Sequence, residues 1–163
     1  MTLKRKLHRR LGLPYSYDTQ YAPIRGFFGD KRFLSNFFLR PLSLYGIEFP
    51  SSEHAFMWHK SEDAGYRKRV LAAPTPKRAK AVGKSAALRP DWDKSYKFEA
   101  MLRVLRAKFR DPELRKWLLD TGQAYLEETN TWGDIIWGRC NGVGENHLGR
   151  LLMIIRYELQ QSC

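Results

Sequence analysis

Glu53 and Lys60 bracket the run Pro50-Ser51-Ser52-Glu53-His54-Ala55-Phe56-Met57-Trp58-His59-Lys60. A proline and two serines make a helix-entry signal, and no breaker follows until Gly65, so the spacing predicts a helix through Lys60. At ~3.6 residues per turn the two charged residues project from nearly one face, which they share with Phe56 and Met57. An unpaired charge on an apolar face is costly, so the pair is either an internal ion pair or an active site. A carboxyl desolvated beside Phe56, Met57 and Trp58 can hold or pass a proton near neutrality. Glu53 in a first turn also suits the positive end of a helix, and spacing does not choose between the two roles. Lys60 can pair with Glu53 or with a substrate phosphate, or act as a neutral amine nucleophile, or be a surface lysine. A second carboxylate, Asp134, follows Trp132 and Gly133. It is either a catalytic group presented on a connection or a turn-forming aspartate. Two carboxylates are what glycoside cleavage ordinarily uses, one protonating the leaving group and one stabilising the sugar cation or activating water.

These residues lie within a longer ordered set. Phe28, then Leu34-Ser35-Asn36-Phe37, precede Ser51-Ser52-Glu53-His54 and Lys60; Trp92 and Leu105-Arg106-Ala107-Lys108-Phe109 follow. Trp132-Gly133-Asp134 and Gly144-Glu145-Asn146-His147-Leu148-Gly149-Arg150-Leu151-Leu152 close the series. In order and spacing the set resembles the NADAR superfamily, the YbiA-like proteins, over about residues 24 to 160. The resemblance implies an α+β fold, a single mostly helical domain around a small β-sheet. It implies hydrolysis of an N-glycosidic bond between a base and a ribosyl phosphate or ADP-ribose, and Glu53 matches the family's catalytic glutamate. Two substrate classes are implied: ADP-ribosylated guanine in nucleic acid, whose cleavage reverses a toxin's modification, and the ribosylamino-pyrimidine phosphates of riboflavin synthesis. An inactive module binding ADP-ribose, NAD or nucleic acid is the non-enzymatic alternative. Retention of Glu53, Lys60 and Asp134 together argues against it.

Other residues are expected to shape the pocket. Asn36 and Asn146 can each offer a donor and an acceptor to ribose or a base edge, and Asn146 can instead cap the last helix. Trp132 and Trp92 present stacking faces, although Trp92 also suits a core. Phe28 aligns with a family aromatic, and Lys84 can meet a phosphate. His54 and His59 are not at the i, i+4 spacing of a metal-binding pair, and His147 stands where the family commonly has a basic residue. No metal and no cofactor are expected.

The net charge of +12 is concentrated. Lys4, Arg5, Lys6, Arg9 and Arg10 form one acid-free block, and Arg67, Lys68, Arg69, Lys77, Arg78, Lys80, Lys84 and Arg89 another. Such blocks favour a polyanion, so a nucleic acid substrate (single-stranded DNA first) is preferred to a phosphorylated metabolite, with Arg67, Lys68, Arg69, Lys77, Arg78 and Lys80 as contacts. The two cysteines lack metal-ligand spacing, and there is neither a signal peptide nor a membrane-length apolar run. A soluble cytoplasmic protein is expected, without an obligate protein partner.

The elements that must position these groups follow from local signals. Residues 1–20 are expected to form a loosely held basic arm, and 21–163 one domain. Ile24 to Phe28 has the weight of a short strand, and Leu42 to Phe49 alternates around Tyr45-Gly46 as a hairpin does. Short basic helices are expected over 65–87, broken at Pro74 and Pro76. Phe98, Met101, Leu102, Leu105 and Phe109 make an amphipathic stripe over 95–110. Asp111-Pro112 opens a short helix to about Asp120, and Ala124 to Thr129 reads as a strand. A glycine-rich connection covers 131–146, and Leu148, Leu151, Leu152, Ile155 and Leu159 stripe the last helix.

Overall fold

The computed structural model describes residues 20–162; the expected basic arm, apart from Gln20, lies outside the described residues. The chain divides into two compact units, Ser35–Leu114 and a second made of the segments on either side of it.

The central unit starts from a hairpin, β2 (Leu39–Leu44) and β3 (Ile47–Ser51). Tyr45 and Gly46 turn it with φ of 56° and 72°, the left-handed pair that a tight hairpin with properly twisted strands requires. Leu42 faces Phe49 and Leu44 faces Ile47; the register slips between Leu39 and Leu42, where Pro41 has no N–H to donate. Chain direction reverses from strand to helix at one residue. Ser51 ends β3, and its Oγ accepts the N–H of His54 at 3.3 Å to open α1 (Ser52–Trp58). Leu42, Leu44, Phe49, Ala55, Val104 and Ala107 close into one core.

The rest of the unit is helical. α2 (Ala64–Leu71) is capped by Asp63, and α3 (Pro76–Val82) by Thr75 with a proline in its first turn. Both match the expected basic helices and their proline break. A π-helical turn over Trp92–Tyr96 leads into α4 (Lys97–Lys108), whose Met101, Val104 and Leu105 are buried. Asp111 Oδ1 accepts from Glu113 N and Leu114 N at 2.9 and 3.0 Å, starting α5 (Pro112–Asp120) where expected.

α1 departs from expectation: it stops at Trp58 rather than running through Lys60. The cause is His59. Its imidazole Nδ1 donates to Ala55 O at 2.7 Å, taking the carbonyl that its own N–H would claim in a continuing helix, and that N–H shifts to Phe56 O. The last turn tightens and ends.

The second unit pairs β1 (Ile24–Arg25) in parallel with β4 (Leu126–Glu127), and β5 (Thr129–Asn130) in parallel with β6 (Arg139–Cys140). The expected single sheet is thus three separate two-stranded pairs among the described residues, and the expected strand over 124–129 is split between two of them. Gly26, at φ 78°, cuts β1 short. α6 (His147–Gln161) lies against β4. It can do so because Gly149 has no side chain: a Cβ there would stand 2.1 Å from Leu126 O. Buried Arg156 of α6 donates to Thr121 Oγ1 and Ala124 O, both at 2.8 Å, clamping the approach to β4. Burial lowers its pKa to about 10, so it stays charged at neutral pH.

Candidate active site

Glu53 stands in the first turn of α1 and is 5% exposed. Its place is set by the junction with β3. Ser51 Oγ lies 2.7 Å from His54 Nδ1, and His54 Nε2 lies 3.0 Å from Ala73 O, so the imidazole ties the start of α1 to the connection between α2 and α3. The N–H of Glu53 donates to Asn36 O at 3.0 Å. Lys108, buried in α4, donates to Ser35 O at 2.9 Å and holds the same strip of chain. Asn36 is therefore beside Glu53. Its Nδ2 reaches Met101 Sδ at 3.4 Å, while its Oδ1 and Ser52 Oγ are buried without a hydrogen-bond partner among the described residues.

Lys60 lies just beyond α1. Its amine donates to Gly83 O at 2.8 Å. Burial lowers its pKa; Glu53 and Asp93 oppose that shift and Lys80 adds to it. Glu53 and Lys60 thus share an electrostatic neighbourhood, although not a helix face. Tyr66, whose hydroxyl donates to Met57 O at 2.7 Å, is pushed up to about 12 by burial and braces the end of α1.

Three expectations within this unit change. Trp92 is 6% exposed and packs on Phe56 with ring centroids 5.3 Å apart, so it is a core tryptophan without an open stacking face. Arg67 is engaged: its guanidinium lies 3.7 Å over the Trp58 ring and its Nε donates to Ser61 O at 2.9 Å. Lys68, Arg69, Lys77, Arg78, Lys80 and Lys84 are exposed, with the Lys80 ammonium 5.6 Å over the Phe37 ring. The third change is the loss of the common helix face for Lys60.

Phe28, Trp132, Asp134 and Asn146 belong to the second unit. Phe28 and Trp132 are 67% and 64% exposed, and the Phe28 ring lies across Gly26, where a Cβ would collide with it. Asp134 Oδ1 accepts from Ile136 N at 3.1 Å and Trp137 N at 2.9 Å, and its backbone N–H and carbonyl both pair with the Asn130 amide. This is the turn-forming geometry weighed from sequence; it leaves Oδ2 for other chemistry. Asn146 stands at the N-cap position of α6, but its side chain makes no capping hydrogen bond. Its amide instead donates to Tyr125 Oη and Leu126 O and accepts from Glu128 N, so its hydrogen-bonding capacity is spent on the fold.

His54 and His59 are buried and bonded to backbone carbonyls, and burial depresses both. His147 bonds the Glu145 carboxylate. Among the described residues no group of three or more His, Cys, Asp or Glu could hold a metal ion. None of the described helices is long and apolar enough to cross a membrane. Sequence reasoning passed over Gly83, Asn130 and Tyr66. Gly83 and Tyr66 act on Lys60 and Met57, partners that folding brings close, whereas Asn130 pairs with Asp134 four residues on.

Residues 26–160 match the NADAR domain. The chain is 42% identical over 129 residues to the N-glycosidase YbiA of Shigella flexneri, covering 77% of this chain and 79% of that protein. It is 35% identical over 133 residues to a riboflavin biosynthesis protein of Vibrio vulnificus, covering 79% of this chain and 36% of that one. The solution structure of Escherichia coli YbiA superposes with a TM-score of 0.78 at 34% identity, covering 91% of this chain and 94% of that chain. Architecture and sequence define a mostly helical domain of the YbiA kind. The chain belongs to the NADAR family.

Proposed function

We propose that this protein is an N-glycosidase that cleaves the bond between a base nitrogen and the anomeric carbon of a phosphorylated ribosyl group. The observation that carries the proposal is Glu53 and Lys60: a buried carboxyl and an amine whose pKa is lowered by burial, within one electrostatic neighbourhood. Relatives named N-glycosidase support it.

In the proposed reaction Glu53 gives a proton to the departing base nitrogen. The ring C–O bond at the anomeric carbon opens, the Lys60 amine adds to that carbon and the bond to the base nitrogen breaks, leaving a lysine–sugar imine. Water then adds to that imine, the C–N bond to Lys60 breaks, and the free sugar aldehyde leaves. One water is consumed: the two protons lost by Lys60 go to the ring oxygen and, by reprotonating Glu53, to the base nitrogen, and the two protons of water restore the amine. Asn36 pairs with a sugar hydroxyl.

The preferred substrate is ADP-ribosylated guanine in single-stranded nucleic acid. Exposed Lys68, Arg69, Lys77, Arg78 and Lys80 on α2 and α3 support it, because sequence-independent phosphate contacts serve a polymer rather than a metabolite. The second reading is a ribosylamino-pyrimidine phosphate, supported by the riboflavin biosynthesis proteins among the relatives. Turnover of both substrates side by side tests the choice. Release of ADP-ribose from DNA, lost in Glu53→Gln and weakened by salt, supports the first; cleavage of the pyrimidine alone overturns it in favour of the second. Turnover of neither removes the glycosidase reading.

A further inference from the structure

Gly83 ends α3 with φ −56° and ψ −20°. That is ordinary right-handed helical backbone, open to any L residue, so conformational freedom does not explain a glycine here. Space does. A Cβ at this position would stand 2.2 Å from Met57 Sδ, 3.3 Å from Met57 Cγ and 3.7 Å from Lys60 Cδ. The missing side chain lets the end of α3 press against the last turn of α1, and this contact brings Gly83 O to 2.8 Å from Lys60 Nζ.

We infer that Gly83 is a positioning residue for the reaction proposed above, its carbonyl holding the Lys60 amine at one N–H and directing the nitrogen lone pair. The inference rests on Lys60 being the nucleophile. A neutral amine has two N–H groups and one lone pair. With one N–H committed to Gly83 O, rotation about that bond confines the lone pair to a cone instead of the full sphere open to a solvated lysine. As the C–N bond forms, the nitrogen gains positive charge, and a hydrogen bond from it to a carbonyl strengthens. Gly83 O therefore stabilises the transition state more than bound substrate, and its effect belongs in kcat rather than KM. The same carbonyl also favours the resting ammonium, opposing the burial that lowers the pKa of Lys60. Weakening it has two linked signatures: a lower plateau rate, and a rate–pH limb displaced to lower pH.

The test uses the full chain and whichever ribosyl substrate is turned over. Replacing Lys84 by its α-hydroxy analogue turns the Gly83 carbonyl into an ester carbonyl, a weaker acceptor, without adding an atom near Met57. Gly83→Ala is the steric counterpart, and Lys60→Ala the control. The ester variant is expected to lose about 10-fold or more in plateau kcat with KM changed less than about two-fold. Its pH limb should move down, and borohydride should trap less lysine–sugar adduct at a fixed early time. A merely structural contact would change the melting temperature and leave the pH limb in place. Wild-type plateau and limb in the ester variant overturn the inference, even if Gly83→Ala fails to fold. Full turnover by Lys60→Ala removes the nucleophile reading itself, a separate result.

Discussion

At Glu53 and Lys60 the fold holds two groups against what water would prefer for them. Glu53 is buried in a first helical turn beside an asparagine whose side-chain oxygen has no partner among the described residues. Glu53→Gln keeps shape and hydrogen-bonding reach but removes the transferable proton. It is expected to lower kcat by about 10²–10⁴-fold with little change in ligand affinity, read by turnover alongside a binding titration. Equal losses in both would make Glu53 a structural residue. The charge on Lys60 offers a second measurement. Lys80 lowers the pKa of Lys60 by like-charge repulsion, so Lys80→Gln should raise it. The rate limb, which rises as the amine deprotonates, then moves to higher pH, and turnover at neutral pH falls. Lys80 is exposed, so the fold should tolerate the change. A limb that stays put, on a substrate too small to reach the other lysines, counts against Lys60 as the titrating nucleophile.

Elements explain how these residues are held, and one of them carries a stability prediction. His54 joins the start of α1 to Ala73, and His59 closes its end on Ala55. Burial depresses both imidazoles below their ordinary value. In the unfolded chain they take up protons near pH 6.5, roughly, whereas the folded chain resists. Their contribution to stability is therefore complete above about pH 6.5 and is lost as pH falls through the lower folded values. His54→Gln should melt lower than wild type at pH 7.5 yet lose less on going to pH 5; parallel melting curves across that range would exclude His54 as a source of the acid sensitivity. Legibility in the sequence followed the range of the signal. The Tyr45-Gly46 turn, the prolines between α2 and α3, the stripe on α4 and the Asp111-Pro112 start of α5 are local, and all could be read. The end of α1 could not, because it depends on a buried histidine ring turning onto its own helix. Neither could the parallel pairing of Ile24 with Leu126, nor the grip of Gly83 on Lys60, since both partners are distant in sequence. The roles of Trp92, Asn146 and Arg67 stay open in the sequence for another reason: ring, amide and guanidinium serve packing and binding equally well by type.

On the scale of the whole molecule the net charge of +12 asks for an anion, and Lys68, Arg69, Lys77, Arg78 and Lys80 put part of that excess on exposed positions of α2 and α3. A polymer and a metabolite make different demands on it. Each phosphate neutralised on a single strand contributes about −0.7 to the slope of log affinity against log salt, whereas a small phosphate ester meets few of these side chains. Lys77 and Arg78 are exposed and open α3, with the backbone N–H of Arg78 rather than its guanidinium completing the Thr75 cap. The double variant Lys77→Ala, Arg78→Ala should therefore fold normally and keep its turnover of a ribosylamino-pyrimidine phosphate. On single-stranded nucleic acid its salt slope should be shallower by about 1.4, two phosphates' worth, with affinity reduced alike for unrelated base sequences. An unchanged slope would mean that these cations do not touch the polymer. Selection among substrates would then fall to the buried surroundings of Glu53, and the metabolite reading would gain by the same measurement.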